Sequence, residues 1–367
     1  MRNGAVQASG GGAMGIGEDA DERRGDAPEA RTKRRPRTLL CMDDRAFGLQ
    51  FPAPILTRLT ESAQVGDPVR VRTLDSGEAR AGLADCEVLL TSWGCPPVTG
   101  RVLDSAPRLR AIIHAAGSVR GHVSLETFDR GILVTTAAAA NAVPVAEYAL
   151  AMILAAGKRV PFLARQARSY RSDWSYAAAH GELSNRGRTV CLVGWSRTGR
   201  LLGRLLRPFD IEVLVVDPHA DADDVAAQGA RLTTAAEAFP RCDVLSLHAP
   251  MLPSTRNMVD AAALALLPDG ATLLNTARGG LVDTGALARE CRSGRLYAIL
   301  DVTEPEPLPD SSDLYDCENV VITPHVAGSL GSETERMSLA ALEELDRYRS
   351  GRPPLDEVTR SAFGVMA

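Results

Sequence analysis

The sequence predicts an α/β protein built on two parallel β-sheets, each covered by helices. Short apolar runs of strand length alternate with helical patterns along the chain after residue 37, which is typical of parallel sheets with helices on both faces. At 367 residues the chain exceeds what one core usually supports. Its apolar content of 45% is ample for two cores.

Residues 1–37 differ from the rest. They contain almost no bulky apolar side chain and end in the basic run Arg31–Arg37. A segment of this composition cannot bury enough surface to fold, so we predict a disordered tail. The basic run could bind a polyanion or target the chain, but a solvated tail is the preferred interpretation.

The first series of strands is followed by a long apolar segment. The predicted strands are Thr38–Met42, Val69–Arg72, Cys86–Thr91, Ala111–His114 and Leu133–Thr136. In the segment that follows, Asn141 can cap a helix, Pro144 sits in its first turn, and Gly157 offers a stop. This helix is apolar on nearly every side, so we expect it to be buried between other elements.

A second series of six strands has the size of a full dinucleotide-binding sheet. The strands are predicted near 190–193, 212–216, 243–247, 271–275, 297–300 and 320–322. A final helix, about Glu333–Arg347, has no strand after it.

The turn after the first strand of this series predicts a nucleotide site. Gly194 and Gly199 hold the first and third positions of a GxGxxG pattern, and Ser196 replaces the second glycine. We expect the Ser196 hydroxyl to donate to a phosphate, with Arg197 and Thr198 beside it at the helix N-terminus. Asp217 ends the next strand, where a carboxylate accepts ribose hydroxyls and repels a 2′-phosphate, so NAD is predicted over NADP.

Charge, cysteine spacing and hydropathy restrict the classes of protein to which the chain can belong. Lys plus Arg number 41 against 46 Asp plus Glu, which argues against an extended nucleic-acid surface. Seven dispersed cysteines show no metal or redox spacing, so we expect reduced thiols and no metal. We found no apolar run of about 18 residues and no signal core, which predicts a soluble cytoplasmic protein without a membrane partner.

Three residues downstream suit the reduction of a 2-oxo acid. Arg278 follows a strand and offers a planar fork for a carboxylate. His325 follows the last strand and can give a proton to a carbonyl oxygen. A buried carboxylate beside the ring would favour its protonated form. Glu304 and Glu306 lie in the same loop, and spacing alone does not choose between them.

With these motifs the chain after residue 37 resembles the D-isomer-specific 2-hydroxyacid dehydrogenase family. The resemblance implies catalytic roles for Arg278, Glu306 and His325. It also implies a flavodoxin-like substrate domain, 38–140 completed by 328–367, a Rossmann NAD-binding domain, 141–327, and a homodimer in contact through the helix from Asn141. Thr303 stands where the family carries an aromatic, and Arg120 stands near the place of an acidic residue.

The resemblance extends to residues that line the two sides of the cleft. On the cofactor side it implies contacts from His248, Pro250, Thr255, Thr276, Ala277, Asp301 and His325. On the substrate side it implies Ala116, Gly117 and Ser118, whose backbone N–H groups would hold the substrate carboxylate, together with Arg278. Trp93 is expected to face the same cleft or to pack in the core.

The sequence therefore predicts an NAD-dependent 2-hydroxyacid dehydrogenase, run with NADH as a 2-oxo acid reductase. One alternative is a relative that oxidises a small anion such as phosphite or formate; formate-type relatives carry Gln in place of Glu306. The other is an NAD-sensing interaction protein resembling the corepressors of this architecture, supported only by the basic tail.

Overall fold

The computed structural model describes residues 34–365, and two parallel sheets form its framework. The first sheet contains β1 (Arg37–Cys41), β2 (Gln64–Val71), β3 (Val88–Thr91), β4 (Ala111–His114) and β5 (Leu133–Thr136). The second contains β6 (Arg188–Val193), β7 (Ile211–Val216), β8 (Arg231–Leu232), β9 (Val244–Leu247), β10 (Thr272–Asn275), β11 (Tyr297–Leu300) and β12 (Val320–Ile322). We call the first sheet with its covering helices the first unit, and the second sheet with its covering helices the second unit.

The strand orders identify both architectures. The first sheet runs β2-β1-β3-β4-β5, which is the flavodoxin-like order. The second runs β12-β11-β10-β9-β6-β7-β8, the Rossmann order with one further strand at the β12 edge. The predicted fold class is thus confirmed. The expected count of six strands in the second sheet is wrong, because β8 has only two residues, too few to show a pattern.

The helices follow the strands in alternation. They are α1 (Asp44–Gln50), α2 (Ala53–Ser62), α3 (Gly77–Asp85), α4 (Gly100–Asp104), α5 (Leu125–Asp129), α6 (Ala138–Gly157), α7 (Val160–Gln166), α8 (Arg197–Leu206), α9 (Ala222–Ala227), α10 (Ala235–Ala238), α11 (Ala261–Ala265), α12 (Thr284–Arg292), α13 (Thr334–Arg349) and α14 (Arg360–Val365). Several begin where a side-chain oxygen accepts a first-turn N–H. These caps include Asp43, Ser76, Ser196, Asp221, Asp260 and Asp283.

Helix α13, late in the chain, belongs to the first unit. It packs on α1 and α2, where Leu342 shares a buried cluster with Phe51 and Ile55. Beyond α13 the chain reaches the edge of the first sheet, where Val358 N–H donates to Val134 O at 2.8 Å. The first unit is therefore assembled from both ends of the described chain.

Helix α6 differs from its prediction. It begins at Ala138, and Asn141 does not cap it; instead Asn141 Oδ1 accepts from Ser329 N–H at 2.9 Å. One face is buried, but Glu147 and Ala151 are exposed, so burial on nearly every side is wrong. The helix is long and apolar enough to cross a membrane by length and composition, which also corrects the expectation that no such run exists.

The predicted boundary of the tail moves slightly. Residues 1–33 lie outside the described part of the chain, so the predicted disorder there stays a prediction. Residues 34–37 are described: Arg37 opens β1, and Arg35 Nη2 donates to Ala63 O at 2.9 Å. All seven cysteines are buried and free, as expected of reduced thiols.

Candidate active site

The turn between β6 and α8 excludes side chains at two points. Gly194 has φ +101°, and a Cβ there would lie 2.5 Å from the Ala249 nitrogen. A Cβ on Gly199 would lie 2.4 Å from Gly194 O. Ser196 Oγ accepts from Gly199 N–H at 3.3 Å and so caps α8. Its hydroxyl proton remains available to a phosphate, and the cradle fits a dinucleotide.

Asp217 closes the same turn. Its Oδ2 accepts from Trp195 N–H at 2.7 Å, and its Oδ1 accepts from His219 N–H at 2.8 Å. Thr198 lies half-buried in the first turn of α8. Arg197, in contrast, forms an ion pair with Asp356 in the segment before α14. The structure therefore directs Arg197 towards the first unit, a contact that the sequence did not reveal.

The loop after β9 is organised around a neutral histidine. His248 is buried, which lowers its pKa to about 4, and its Nε2 lies 2.9 Å from Ser246 Oγ. Thr255 Oγ1 donates to Pro250 O at 2.6 Å and fixes the following turn. These contacts suit positioning rather than proton transfer.

The turn after β10 presents Arg278. Asn275 Nδ2 donates to Arg278 O at 2.9 Å, and Asn275 Oδ1 accepts from Ala277 N–H at 3.0 Å. Thr276 Oγ1 is buried without a partner among the described residues, so it is free to bond a ligand. Burial lowers the pKa of Arg278, and the charge of Glu306 opposes that shift.

Gly279 is required for a reason that the sequence did not suggest. In the structure a Cβ on Gly279 would lie 2.0 Å from the Thr303 carbonyl carbon. The absence of a side chain thus lets the Arg278 turn contact the loop that carries the glutamates.

His325 and Glu306 form the central contact of the site. His325 Nδ1 lies 2.7 Å from Glu306 Oε1, which leaves Nε2 for a substrate. The two side chains are 53% and 44% exposed, so the expectation of a buried carboxylate is wrong. A cavity of about 550 Å³ opens beside the pair, with walls that include Leu308 and Tyr315.

Glu304 has a different partner. Its Oε1 lies 3.7 Å from Arg256 Nη2, and its backbone oxygen accepts from Thr284 Oγ1 at 3.0 Å. Glu306, and not Glu304, is therefore the carboxylate that contacts the imidazole.

Asp301 holds the loop that carries His325. Its buried carboxylate accepts from Thr323 Oγ1 at 2.6 Å, from Val326 N–H at 2.8 Å and from Ala327 N–H at 2.9 Å. This network supports the left-handed backbone of His325, φ +54°, which a residue with a Cβ adopts only when its surroundings enforce it. Tyr148 joins the network, with its hydroxyl 2.8 Å from Thr323 Oγ1. No motif in the sequence indicated Tyr148.

The first unit contributes the loop after β4. Ala116 is buried and Gly117 and Ser118 are half-buried. Arg120 crosses to the second unit, where its Nη1 donates to Met251 O at 3.0 Å. Trp93 is partly buried and packs against the cluster beneath the first sheet, which favours the core role among the two predicted.

The fold and the site together define a two-unit dinucleotide-binding protein with an Arg–Glu–His set at the carboxyl edge of its nucleotide-binding sheet. Residues 150–327 match the family model "D-isomer specific 2-hydroxyacid dehydrogenase, NAD binding domain". The chain is also similar to the TT0316 protein of Thermus thermophilus, with 31% identity and a TM-score of 0.68 over 88% of this chain and 100% of the other. The chain belongs to the D-isomer-specific 2-hydroxyacid dehydrogenase family, and its second unit is an NAD-binding domain.

Curated relatives share most of this chain but are longer. The D-3-phosphoglycerate dehydrogenase of Mycobacterium tuberculosis is 33% identical over 288 residues, which are 77% of this chain and 53% of the relative. This chain thus spans about half the length of such relatives. The D-lactate dehydrogenase of Aquifex aeolicus, solved with NAD and lactic acid, shares the fold at 24% identity and a TM-score of 0.65, over 86% and 96% of the two chains.

Proposed function

We propose that the protein is an NAD-dependent 2-hydroxyacid dehydrogenase that acts as a 2-oxo acid reductase. The observation that carries the proposal is the 2.7 Å contact between His325 Nδ1 and Glu306 Oε1. It lies at the sheet edge that also presents Arg278 and the glycine turn. Each group of the set has a task in this chemistry, and family membership agrees with it.

The residues divide the reaction between them. NADH, when bound, supplies the hydride to the carbonyl carbon. Arg278 binds the substrate carboxylate through its planar fork. His325 gives the proton on Nε2 to the carbonyl oxygen, and Glu306, 2.7 Å from Nδ1, orients the ring so that Nε2 faces the substrate. In the oxidative direction the neutral Nε2 takes the proton back from the hydroxyl group.

A substrate screen tests the proposal. NADH oxidation is followed with glyoxylate, hydroxypyruvate, pyruvate, phenylpyruvate and phosphonopyruvate, and NAD reduction with D-3-phosphoglycerate, because the curated relatives are named for that acid. The matched control is His325→Gln, which should lose the activity. If the parent protein reduces or oxidises none of these acids faster than the control, the proposal fails.

Two rival functions enter the same screen. A small-anion dehydrogenase would reduce NAD with phosphite, so phosphite and formate are included; Glu306 argues against a formate enzyme, since formate-type relatives resemble this family but carry Gln there. A corepressor-like sensor would bind NADH and turn over no acid. The intact set of Arg278, Glu306 and His325 favours turnover.

We further propose a cytoplasmic homodimer that contacts neither nucleic acid nor membrane. Its two domains, 38–140 with 328–367 and 141–327, would close on the substrate about hinges near their boundaries. The partly exposed apolar face of α6 supports the dimer contact, and the exposed Glu147 in that face disfavours a bilayer. Light scattering tests the assembly: Ala151→Glu should yield a monomer, whereas an unchanged mass would exclude α6 as the interface.

A further inference from the structure

We infer that Gln50 and Ser92 are positioning residues, which orient the backbone N–H groups of Ala116 and Gly117 towards the carboxylate of the substrate. The inference rests on the proposed function and deepens it. It names two residues that carry no motif and lie far from the loop in sequence.

Both side chains converge on one carbonyl oxygen. Gln50 Nε2 donates to Ala115 O at 2.8 Å, and Ser92 Oγ donates to the same oxygen at 3.3 Å. Both residues have 0% exposure. Burial of an amide and a hydroxyl costs free energy unless they are hydrogen-bonded. These two bonds therefore hold the Ala115 carbonyl firmly in one direction.

The geometry of the peptide group carries that direction to the next residue. In a trans peptide the C=O and the N–H of the same plane point in opposite directions. Since Ala115 O points towards Gln50 and Ser92, the N–H of Ala116 points away from them. The next plane is fixed as well, because Ala116 O accepts from Ala137 N–H at 3.0 Å. The N–H of Gly117 is thereby oriented by the same rule.

The two N–H groups are left without protein acceptors. Among residues 34–365 no backbone or side-chain oxygen accepts a hydrogen bond from the N–H of Ala116 or of Gly117. Ala116 is only 1% exposed, so its N–H is also shielded from water. Buried backbone donors are almost always paired, and adjacent unpaired donors form a ready site for an anion.

Arg120 and Met251 connect this loop to the Arg278 turn. Arg120, three residues after Gly117, donates to Met251 O at 3.0 Å. Met251 in turn packs against the Arg278 turn, since a Cβ on Gly280 would lie 3.0 Å from its methyl carbon. One carboxylate can thus be held by the fork of Arg278 on one side and by the two N–H groups on the other.

The experiment compares Gln50→Met, which keeps the chain length but loses the donor, with Ser92→Ala and the parent protein. The carboxylate is bound equally before and during hydride transfer, so the KM for the 2-oxo acid should rise about 10-fold in Gln50→Met while kcat stays within about twofold. Ser92→Ala should raise KM less, because its bond is longer. The Kd for NADH should not change in either variant.

Thr334→Val is the matched control. Thr334 is equally buried, lies 3.2 Å from Leu49 O beside Gln50, and donates to Gly331 O at 2.7 Å. Its replacement should lower the thermal stability and leave KM unaltered. If Thr334→Val raises KM as much as Gln50→Met does, the effect is merely structural and the inference is wrong. An unaltered KM in Gln50→Met also overturns it.

Two further measurements keep the result decisive. If Gln50→Met does not fold, Ser92→Ala decides alone, and a KM within experimental error of the parent refutes the inference. Oxalate, a non-reacting dicarboxylate, is titrated into the NADH complex of each variant as a probe of carboxylate binding without turnover. A parent that neither reduces a 2-oxo acid nor oxidises a 2-hydroxy acid disproves the proposed function, whereas equal oxalate affinity in parent and variants disproves the role of Gln50 and Ser92.

Discussion

The two units supply the active site in different ways. The second unit presents side chains: Arg278, Glu306 and His325 stand on turns at the carboxyl edge of its sheet. The first unit presents backbone: the N–H groups after β4, oriented by Gln50 and Ser92 from beneath. The comparison teaches that side chains which follow a strand in a local motif can be predicted from the sequence, whereas the distant buried side chains that orient a peptide group are visible only in the fold.

The largest effect is expected when a substitution removes the proton donor of the second unit. His325→Gln should lower turnover about 10²-fold or more, since general acid catalysis contributes on that scale. The Kd for NADH should stay nearly constant, because the glycine turn is untouched. Steady-state rates and a fluorescence titration of NADH measure the two quantities. Turnover at the level of the parent would reduce His325 to a structural residue.

Arg278→Lys keeps the charge and loses the fork. We expect the KM for the 2-oxo acid to rise by roughly tenfold or more, with a smaller loss of turnover, because one ammonium cannot bind a carboxylate bidentately. A larger rise here than in Gln50→Met would mean that the second unit dominates carboxylate binding. An unaltered KM would assign the carboxylate wholly to the first unit.

Cofactor choice should follow Asp217. Its carboxylate, held by Trp195 N–H, would face the additional phosphate of NADPH. We expect NADH to bind at least about tenfold more tightly, a difference that like-charge repulsion readily provides. Fluorescence titration with both cofactors measures the ratio. Equal affinities would contradict the role of Asp217.

The two glutamates of one loop should differ in their effect on turnover. Glu306→Ala removes the oxygen that lies 2.7 Å from His325 Nδ1 and orients the ring, so kcat for reduction should fall about tenfold or more. Glu304→Ala should leave kcat unchanged, because Glu304 faces Arg256. Steady-state rates of the parent and both variants distinguish them. A loss of kcat in Glu304→Ala alone would reverse the assignment.

The smallest effect is expected from removal of a serine N-cap, and the two units offer a matched pair of such caps. Ser196→Ala should lose about 1 kcal/mol of stability and bind NADH a few-fold more weakly, since the hydroxyl both caps α8 and donates to a phosphate. Ser76→Ala removes the cap of α3, where Ser76 Oγ accepts from Ala79 N–H at 3.1 Å. It should lose similar stability without altering the Kd for NADH. Equal weakening by both substitutions would exclude a phosphate contact at Ser196.

The sequence predicted most of the second unit because each of its parts has a local signature. Apolar runs marked the strands, and the glycine turn and Arg278 followed them directly. Prediction failed where an element was too short to show a sequence pattern or where a property depended on residues distant in sequence. β8 is two residues long, and the half-exposed state of the Glu306 pair depends on what surrounds the loop.

In the first unit the same reasoning predicted the loop after β4 but not the side chains that hold it, Gln50 and Ser92. The sequence placed Ala116 and Gly117 at the end of a strand. Gln50 lies 65 residues before the carbonyl that it binds, and Ser92 lies 23 residues before it. Neither spacing corresponds to a motif or a periodicity. Only the parallel packing of β3, β4 and α1 brings the three positions together.

The position of α13 has a consequence for synthesis on the ribosome. The second sheet is contiguous and is complete once β12 has emerged. The first sheet, although made earlier, still lacks α13, whose Ala341, Leu342 and Leu345 cover the buried face formed with Phe51 and Ile55. That apolar face stays uncovered throughout synthesis of the second unit. Nascent chains stalled before residue 334 should therefore bind chaperones or aggregate, while their NAD-binding unit is already folded.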